Sequence, residues 1–323
     1  MELYPLKFQP RYHYRIWGGN KLSSELNKDC QEASIGESWE ISDVEGNETV
    51  VAEGALAGHS LKALIQSYTV DFVGKNAYQQ FGDDFPLLIK FIDAAKPLSI
   101  QVHPDDELAR KRHDSFGKNE MWYVMQADPG AELIVGFNQV VTRDQYIQHL
   151  EDGTVTDLLN TENVSKGDTY YIPTGRVHAI GAGVLLAEIQ QTSNVTYRIY
   201  DYDRVDITTG NKRALHTELA LDAIDFTPAE HYKTSYDKTP NTASKLVYSP
   251  YFRTAILPLT GPLDRDYSSL DSFVIYICVE GSLDLIYKDQ VYHLKLGETL
   301  LLPASIDRVS LQSTEAVILE VSL

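Results

Sequence analysis

Gln101 and His103 stand two residues apart at the end of a short apolar run, 98–102, and Pro104 follows at once. On a strand, positions i and i+2 face the same way, so an amide oxygen and an imidazole aim at one point. Pro104 stops the strand, and Asp105-Asp106-Glu107 reads as a helix start, with acids near the positive end of the dipole. A polar pair closing a buried strand is costly unless something satisfies it, and a metal ion is one such partner. Glu120 occupies a comparable place, where the turn Gly117-Lys118-Asn119 enters an apolar strand. His178 comes just past the segment 170–172, at the end of Pro173-Thr174-Gly175-Arg176-Val177. Two imidazoles, a carboxylate and a neutral amide oxygen suit a borderline divalent ion such as zinc and leave positions open, as catalytic sites do. Each residue taken singly has a plainer reading. Glu120 can pair with Lys118 or Lys90, and a strand-end histidine is more often a hydrogen-bonded structural residue. Of the nine histidines, His13, His59, His113, His149, His216, His231 and His293 are assigned that structural reading.

The elements that must position these residues are mainly strands. Strand patterns cover 122–125, 132–137, 169–172, 184–190, 273–279 and 283–287, separated by Gly, Pro and Asp turns. Helical periodicity covers 60–81, 105–113, 143–150 with 155–159, and 216–224. The helices fall between groups of strands, which favours antiparallel β structure with helical insertions over a βαβ sheet. Gly167-Asp168-Thr169-Tyr170-Tyr171-Ile172-Pro173 matches Gly297-Glu298-Thr299-Leu300-Leu301-Leu302-Pro303 in its Gly, acid, Thr and Pro. The repeat predicts two related β-barrels of jelly-roll type. Five residues after the proline the first copy has His178 and the second Arg308, so only the first can hold a metal there. Residues 227–245, rich in Thr, Ser, Lys, Pro and Asn, read as a linker; the expected domains are 1–235 and 246–323.

Composition narrows the class. The chain has 323 residues, 46 acidic against 28 basic, and a formal charge of −18. That field argues against nucleic-acid or anionic-membrane binding through the general surface, and an anionic substrate needs a local basic pocket. The two cysteines, Cys30 and Cys278, match no metal or redox spacing and suit a reducing cytosol. No run approaches the roughly 20 apolar residues of a membrane helix, so a soluble cytoplasmic protein is expected. Nothing in the sequence assigns an oligomeric state.

The stretch from Gly167 to His178, G-x5-P-x-G-x2-H, resembles the second motif of the cupin superfamily, with Ala182 in place of its closing Asn. The chain resembles the zinc-dependent type I mannose-6-phosphate isomerases in their short bacterial form, in motif detail over about residues 5–215 and beyond that only as a β-domain. The matching stretches are Trp17-Gly18-Gly19, Gly36-Glu37-Ser38-Trp39-Glu40-Ile41-Ser42, Pro86 to Lys90, Lys96 to Pro104, Gly117-Lys118, Glu120 to Tyr123, Val177-His178-Ala179, Glu188 and Thr196-Tyr197-Arg198. The match departs at Asn119, where the family more usually has Thr or Ser. The resemblance implies two cupin-like jelly-roll barrels, the first with helical insertions and the second degenerate. It also implies zinc on Gln101, His103, Glu120 and His178, Arg198 in the active site, and Lys118 and Glu188 in the sugar pocket.

The reaction so implied converts D-mannose 6-phosphate to D-fructose 6-phosphate. It moves one proton between C1 and C2 and one between O1 and O2, through an enediolate. Zinc supplies a Lewis acid for the sugar oxygens, and a cation such as Lys118 or Arg198 adds stabilisation. The base stays open among Glu188, Lys118 and a zinc-bound water. Arg198, Lys90 and Lys96 are the candidates for the phosphate. Two other readings compete. Another metal-dependent cupin, either an aldose isomerase on a different sugar or an iron oxygenase, is the first; an oxygenase could use His103, Glu120 and His178, but the extra Gln101 and the Trp39-Glu40 and Lys118 motifs argue against it. A non-catalytic sugar-binding cupin would be favoured by loss of a ligand, and none is lost.

Overall fold

The computed structural model describes residues 2–30 and 32–323. Two antiparallel sheets build the first β unit. The six-stranded sheet runs in the order Thr169–Ile172, Glu120–Ala127, Val184–Gln191, Leu87–Ala94, Arg11–Gly19, Ile35–Ile41. The five-stranded sheet runs Tyr197–Tyr200, Ile100–Val102, His178–Ile180, Glu132–Phe137, Leu159–Asn163.

Alternation along these strands decides which side chains enter the space between the sheets. Met121, Tyr123, Leu185, Ala187 and Ile189 face outward, into a core shared with the helical insertion and the C-terminal strands. Trp122, Val124, Val184 and Leu186 face inward, against Leu133, Val135 and Ile180 of the opposite sheet. Ile100, Val102, Val177, Ala179, Tyr197 and Ile199 form the outer core of the five-stranded sheet. With a period of two, Gln101, Arg198, His178, Glu120 and Glu188 are therefore turned inward. Burying both faces of a strand makes its register costly to slip, which fixes where these polar groups lie.

The helix predicted over 60–81 is three helices, Leu61–Tyr68, Val70–Val73 and Lys75–Phe81. Thr69 (φ 47°) and Gly74 (φ 93°) interrupt it in positive-φ conformations. Helix Asp106–His113 starts as expected, with the Asp105 carboxylate accepting from the Leu108 amide at 2.8 Å. The predicted strands 273–279 and 283–287 are one bent strand, Val274–Tyr287. The linker-like stretch has little regular structure but lies against the first unit. Tyr232 Oη donates to the Phe137 carbonyl at 2.8 Å, and the Thr234 amide to Thr169 at 2.8 Å.

The C-terminal unit is one antiparallel sheet containing Ser244–Tyr248, Arg253–Asp266, Val274–Tyr287, Gln290–Lys295, Thr299–Leu302 and Arg308–Ser322. Its interior is an aliphatic and aromatic cluster that includes Leu257, Tyr276, Leu300, Leu302 and Ile318. Leu6 pairs with Leu301, so the start of the chain is joined to the last sheet. The molecule is mainly β: two cupin-like β units of jelly-roll type with a helical insertion.

Candidate active site

Four side chains converge, three of them at strand ends and Gln101 in the middle of its short strand. Gln101 lies directly across from His178 in one direction and from Arg198 in the other. Glu120 opens its strand opposite Ile172, and His103 follows the end of its own. His178 Nε2 lies 3.3 Å from Glu120 Oε1 and 3.3 Å from the Gln101 amide nitrogen as placed; His103 Nε2 lies 3.5 Å from Glu120 Oε2. One donor atom from each of His103, Glu120 and His178 falls within a 4.8 Å set.

The donor set fits a divalent metal on three counts. The Nδ1 atoms of His103 and His178 point at the carbonyls of Val195 (2.9 Å) and Arg176 (2.8 Å). Protonating Nδ1 to make those bonds leaves each Nε2 lone pair facing the cluster. Glu120 Oε1 is buried without a hydrogen-bond partner, and an unsatisfied buried carboxylate oxygen is expensive. Burial, with the Glu188 charge, raises the Glu120 carboxyl to about 7. Burial lowers His178 to about 3, and burial followed by the Lys118 charge holds His103 well below its ordinary value. Neutral imidazoles are the ligand form.

Lys118 approaches the same atoms. Its ammonium donates to Glu120 Oε2 at 2.5 Å and lies 3.0 Å from His103 Nε2. Burial alone would lower its pKa, but the charges of Glu120 and Glu188 raise it. Glu188 is engaged at both oxygens, by Lys90 Nζ (3.1 Å) and by Trp122 Nε1 (2.9 Å). Burial would raise its pKa; Lys90 and Lys118 outweigh that and lower it.

A cavity of about 420 Å³ opens beside this cluster, lined among others by Gln101, His178, Lys118, Glu188, Lys90 and Arg198. Arg198 comes from the five-stranded sheet and Glu188 from the six-stranded one, so Arg198 does not pair with Glu188 across strands. It donates instead to Ser99 Oγ (3.3 Å) and the Ala214 carbonyl (2.9 Å). Burial and the neighbouring Arg213 lower its pKa. His103 and Glu120 belong to the buried cluster and not to the cavity lining, whereas Lys96 belongs to neither: it is exposed, in the turn before Pro97.

Sequence reasoning assigned no role to several lining residues, among them Arg15, Arg213 and Glu37. Arg15 makes a two-point ion pair with Glu37, at 2.9 and 3.0 Å, and Arg213 a two-point pair with Asp201, at 2.8 and 2.5 Å. Arg15 and Glu37 adjoin the Trp17-Gly18-Gly19 and Gly36–Ser42 motifs, which could have flagged them. A side chain on Gly18 would come within 2.5 Å of the Gly36 nitrogen, so that glycine lets the two motifs touch. Arg213 lies in no motif and carried no such signal.

No helix among the described residues is long and apolar enough to cross a membrane. Residues 5–135 match the family model for the phosphomannose isomerase type I catalytic domain, and 242–321 that for the mannose-6-phosphate isomerase cupin domain. The mannose-6-phosphate isomerase of Streptococcus mutans is 34% identical, over 94% of this chain and 93% of that protein. A mannose-6-phosphate isomerase of Bacillus subtilis, ManA, is 33% identical over 95% and 96% of the two chains. A crystal structure of the mannose 6-phosphate isomerase from Bacillus subtilis superposes with a TM-score of 0.89 at 31% identity, covering 98% of this chain and 99% of that one. With both of its β units matched and near full-length relatives above 30% identity, the chain belongs to the type I phosphomannose isomerase family of aldose–ketose isomerases.

Proposed function

We propose that the protein interconverts D-mannose 6-phosphate and D-fructose 6-phosphate through an enediolate, with zinc held by Gln101, His103, Glu120 and His178. The observation that carries this reading is the donor cluster, with its partnerless Glu120 Oε1, beside a cavity lined by guanidinium groups. Two imidazoles, a carboxylate and an amide oxygen, with no thiolate, are within zinc's ligand range. Bound zinc supplies Lewis-acid stabilisation of the negative charge that develops on the sugar oxygens.

The chain's own residues do the rest. Lys118 faces the cavity beside the ligands, held there as an ammonium by Glu120 and Glu188; with Glu120 engaged by a metal that hold would be released, so that the free amine carries the proton between C1 and C2 and the ammonium so formed donates to the oxyanion. Glu188, with both oxygens occupied and a lowered pKa, is a poor base. Its role is to hold Lys90 and to keep the buried end of the pocket electrically balanced. That pairing withdraws Lys90 from the phosphate, and the exposure of Lys96 withdraws it too. Arg198, with Arg213 beside it, takes the phosphate dianion, and Ser99 Oγ orients Arg198. Residues 1–235 form the catalytic unit and 246–323 a supporting one. The free thiols Cys30 and Cys278 suit the cytosol.

A coupled assay with mannose 6-phosphate, run before and after chelation and again after adding zinc back, tests the reading. Activity should disappear and return. Full activity in protein shown by elemental analysis to hold no metal would sink it. Turnover in heavy water should place deuterium on the substrate carbon, and Glu188→Gln should preserve that exchange whereas Lys118→Met should abolish it.

A further inference from the structure

We infer that Asn119 is a positioning residue: its amide locks the segment carrying Lys118 and Glu120 to the segment that delivers His178. The inference rests on the metal-dependent reading above. Asn119 sits between two cavity-directed residues, so in extended chain its own side chain turns the opposite way. It is 2% exposed and does not line the cavity.

Its polar atoms are all used, and they reach both flanking segments. Oδ1 accepts from the Thr174 amide at 3.1 Å and from Tyr171 Oη at 3.2 Å. Nδ2 donates to Gln191 Oε1 at 2.7 Å, and the backbone N–H of Asn119 donates to the same oxygen at 3.0 Å. The Gln191 amide donates back to the Asn119 carbonyl at 3.1 Å. Gln191 Nε2 in turn donates to Asp106 Oδ1 (3.1 Å), which also accepts from the Gly117 amide (2.8 Å). The far side of the lock leads to the metal ligand. Arg176 donates to the Tyr171 carbonyl at 3.0 Å, and its own carbonyl receives His178 Nδ1.

A single hydroxyl, as on the Thr or Ser more usual at this position in the family, cannot span both partners. The longer amide therefore couples the ligand-bearing segments, with Oδ1 on Thr174 and Nδ2 on Gln191. Glu120 and His178 have donor atoms 3.3 Å apart, and a ligand set that tight loses affinity when its supports loosen.

Zinc titration of metal-stripped protein against a chromophoric chelator reads the effect directly. Asn119→Ala should weaken zinc binding on the order of 10-fold or more and lower kcat, with KM for mannose 6-phosphate little changed. Asn119→Asp keeps the acceptor for Thr174 and Tyr171 but loses the donor to Gln191, so its zinc affinity should fall between alanine and wild type. Asn119→Ala and Gln191→Ala together should cost less than the sum of the two single changes, because both act on one unit. Unchanged zinc affinity in Asn119→Ala and Asn119→Asp, with only a lower Tm, would overturn the inference. Absence of zinc binding in the wild type would mark failure of the metal reading itself, and that arm is read before any variant.

Discussion

In the first β unit Gly167 turns the chain into strand Thr169–Ile172, and five residues past Pro173 the strand His178–Ile180 begins. In the second, Gly297 turns it into Thr299–Leu302, and five residues past Pro303 the strand Arg308–Ser322 begins. The cross-strand partners correspond as well. Ile172 faces Glu120, whereas Leu302 faces Val274. Glu188 is flanked by Trp122 and Lys90, whereas Glu320 is flanked by Tyr276 and Ala255. At matching places the second unit thus has valine for the candidate carboxylate ligand Glu120, arginine for the candidate histidine ligand His178 and alanine for Lys90 of the cavity. It keeps the glutamate. Glu320 is closed off by Arg265 (2.6 Å) and Tyr267 (2.6 Å), and the surrounding space is filled by leucines. Arg308 turns outward to an exposed pair with Asp266. One scaffold thus holds either a polar cavity or a packed core, and a few strand-end residues decide which. The cavity is the costlier choice, because buried pairs such as Lys118–Glu120 and Lys90–Glu188 seldom repay their desolvation.

Matched substitutions sharpen this contrast. His178→Ala should remove bound zinc and lower turnover on the order of 10³-fold, with the fold intact. Arg308→Ala, its counterpart, should leave both turnover and Tm where they are, since an exposed ion pair contributes little. Stoichiometric zinc in purified His178→Ala, measured by elemental analysis, would show that the two positions do not differ as ligand and surface.

The arginines come next in size. Arg198→Ala should reduce kcat/KM by about 3 kcal/mol, the cost of removing a desolvated charge partner, with Tm nearly unmoved. A large loss of stability with near-normal turnover would instead make Arg198 a barrel-stabilising residue.

The convergence of the candidate ligands was legible because they obey strand periodicity. Gln101 and His103 share a face by simple alternation, and the repeat placed His178 and Arg308 at equivalent points. The antiparallel β class and the second, ligand-free unit were legible for the same reason. Registers between distant strands were not. Arg198 and Glu188 reach one cavity from different sheets, and nothing local in the sequence says which strands become neighbours. Lys96 looked like a phosphate ligand on residue type alone, and the turn at Pro97 points it to solvent. Arg213 was invisible since only tertiary folding brings the 201–213 segment, anchored by Asp201, to the cavity. The single helix expected over 60–81 breaks at Thr69 and Gly74, where positive φ overrides a pattern that otherwise reads as continuous.

Arg265→Ala should act on the second unit as Arg198→Ala acts on the first, but on stability instead of turnover. It strips Glu320 of two charged hydrogen bonds, 2.6 and 3.1 Å, at a cost of about 2 kcal/mol. Thermal melting should show the loss, while the folded fraction keeps wild-type kcat. A fall in kcat at unchanged Tm would break the comparison by giving the second unit a catalytic part.

The smallest effect concerns how the polar interior of the first unit responds to acid. His13 packs on Trp39 with ring centroids 4.4 Å apart, and its Nε2 is buried without a partner. Burial, then the Arg15 charge, brings its pKa down from 6.5 to about 4; Lys90 and Arg11 act the same way and Glu37 opposes them. Between those values the unfolded chain takes up a proton that the folded chain refuses. Stability from a neutral His13 is therefore complete above pH 6.5 and is lost as the pH falls toward 4, with a slope of at most about 1.4 kcal/mol per pH unit. His13→Phe keeps an aromatic ring against Trp39 and removes the titration. Its Tm should therefore fall less steeply than that of the wild type from pH 6 to pH 4, when both are measured on metal-free protein so that ligand protonation is common to the two. Parallel curves would mean that His13 is solvated enough to charge freely in the fold, and that the acid sensitivity of this unit originates elsewhere.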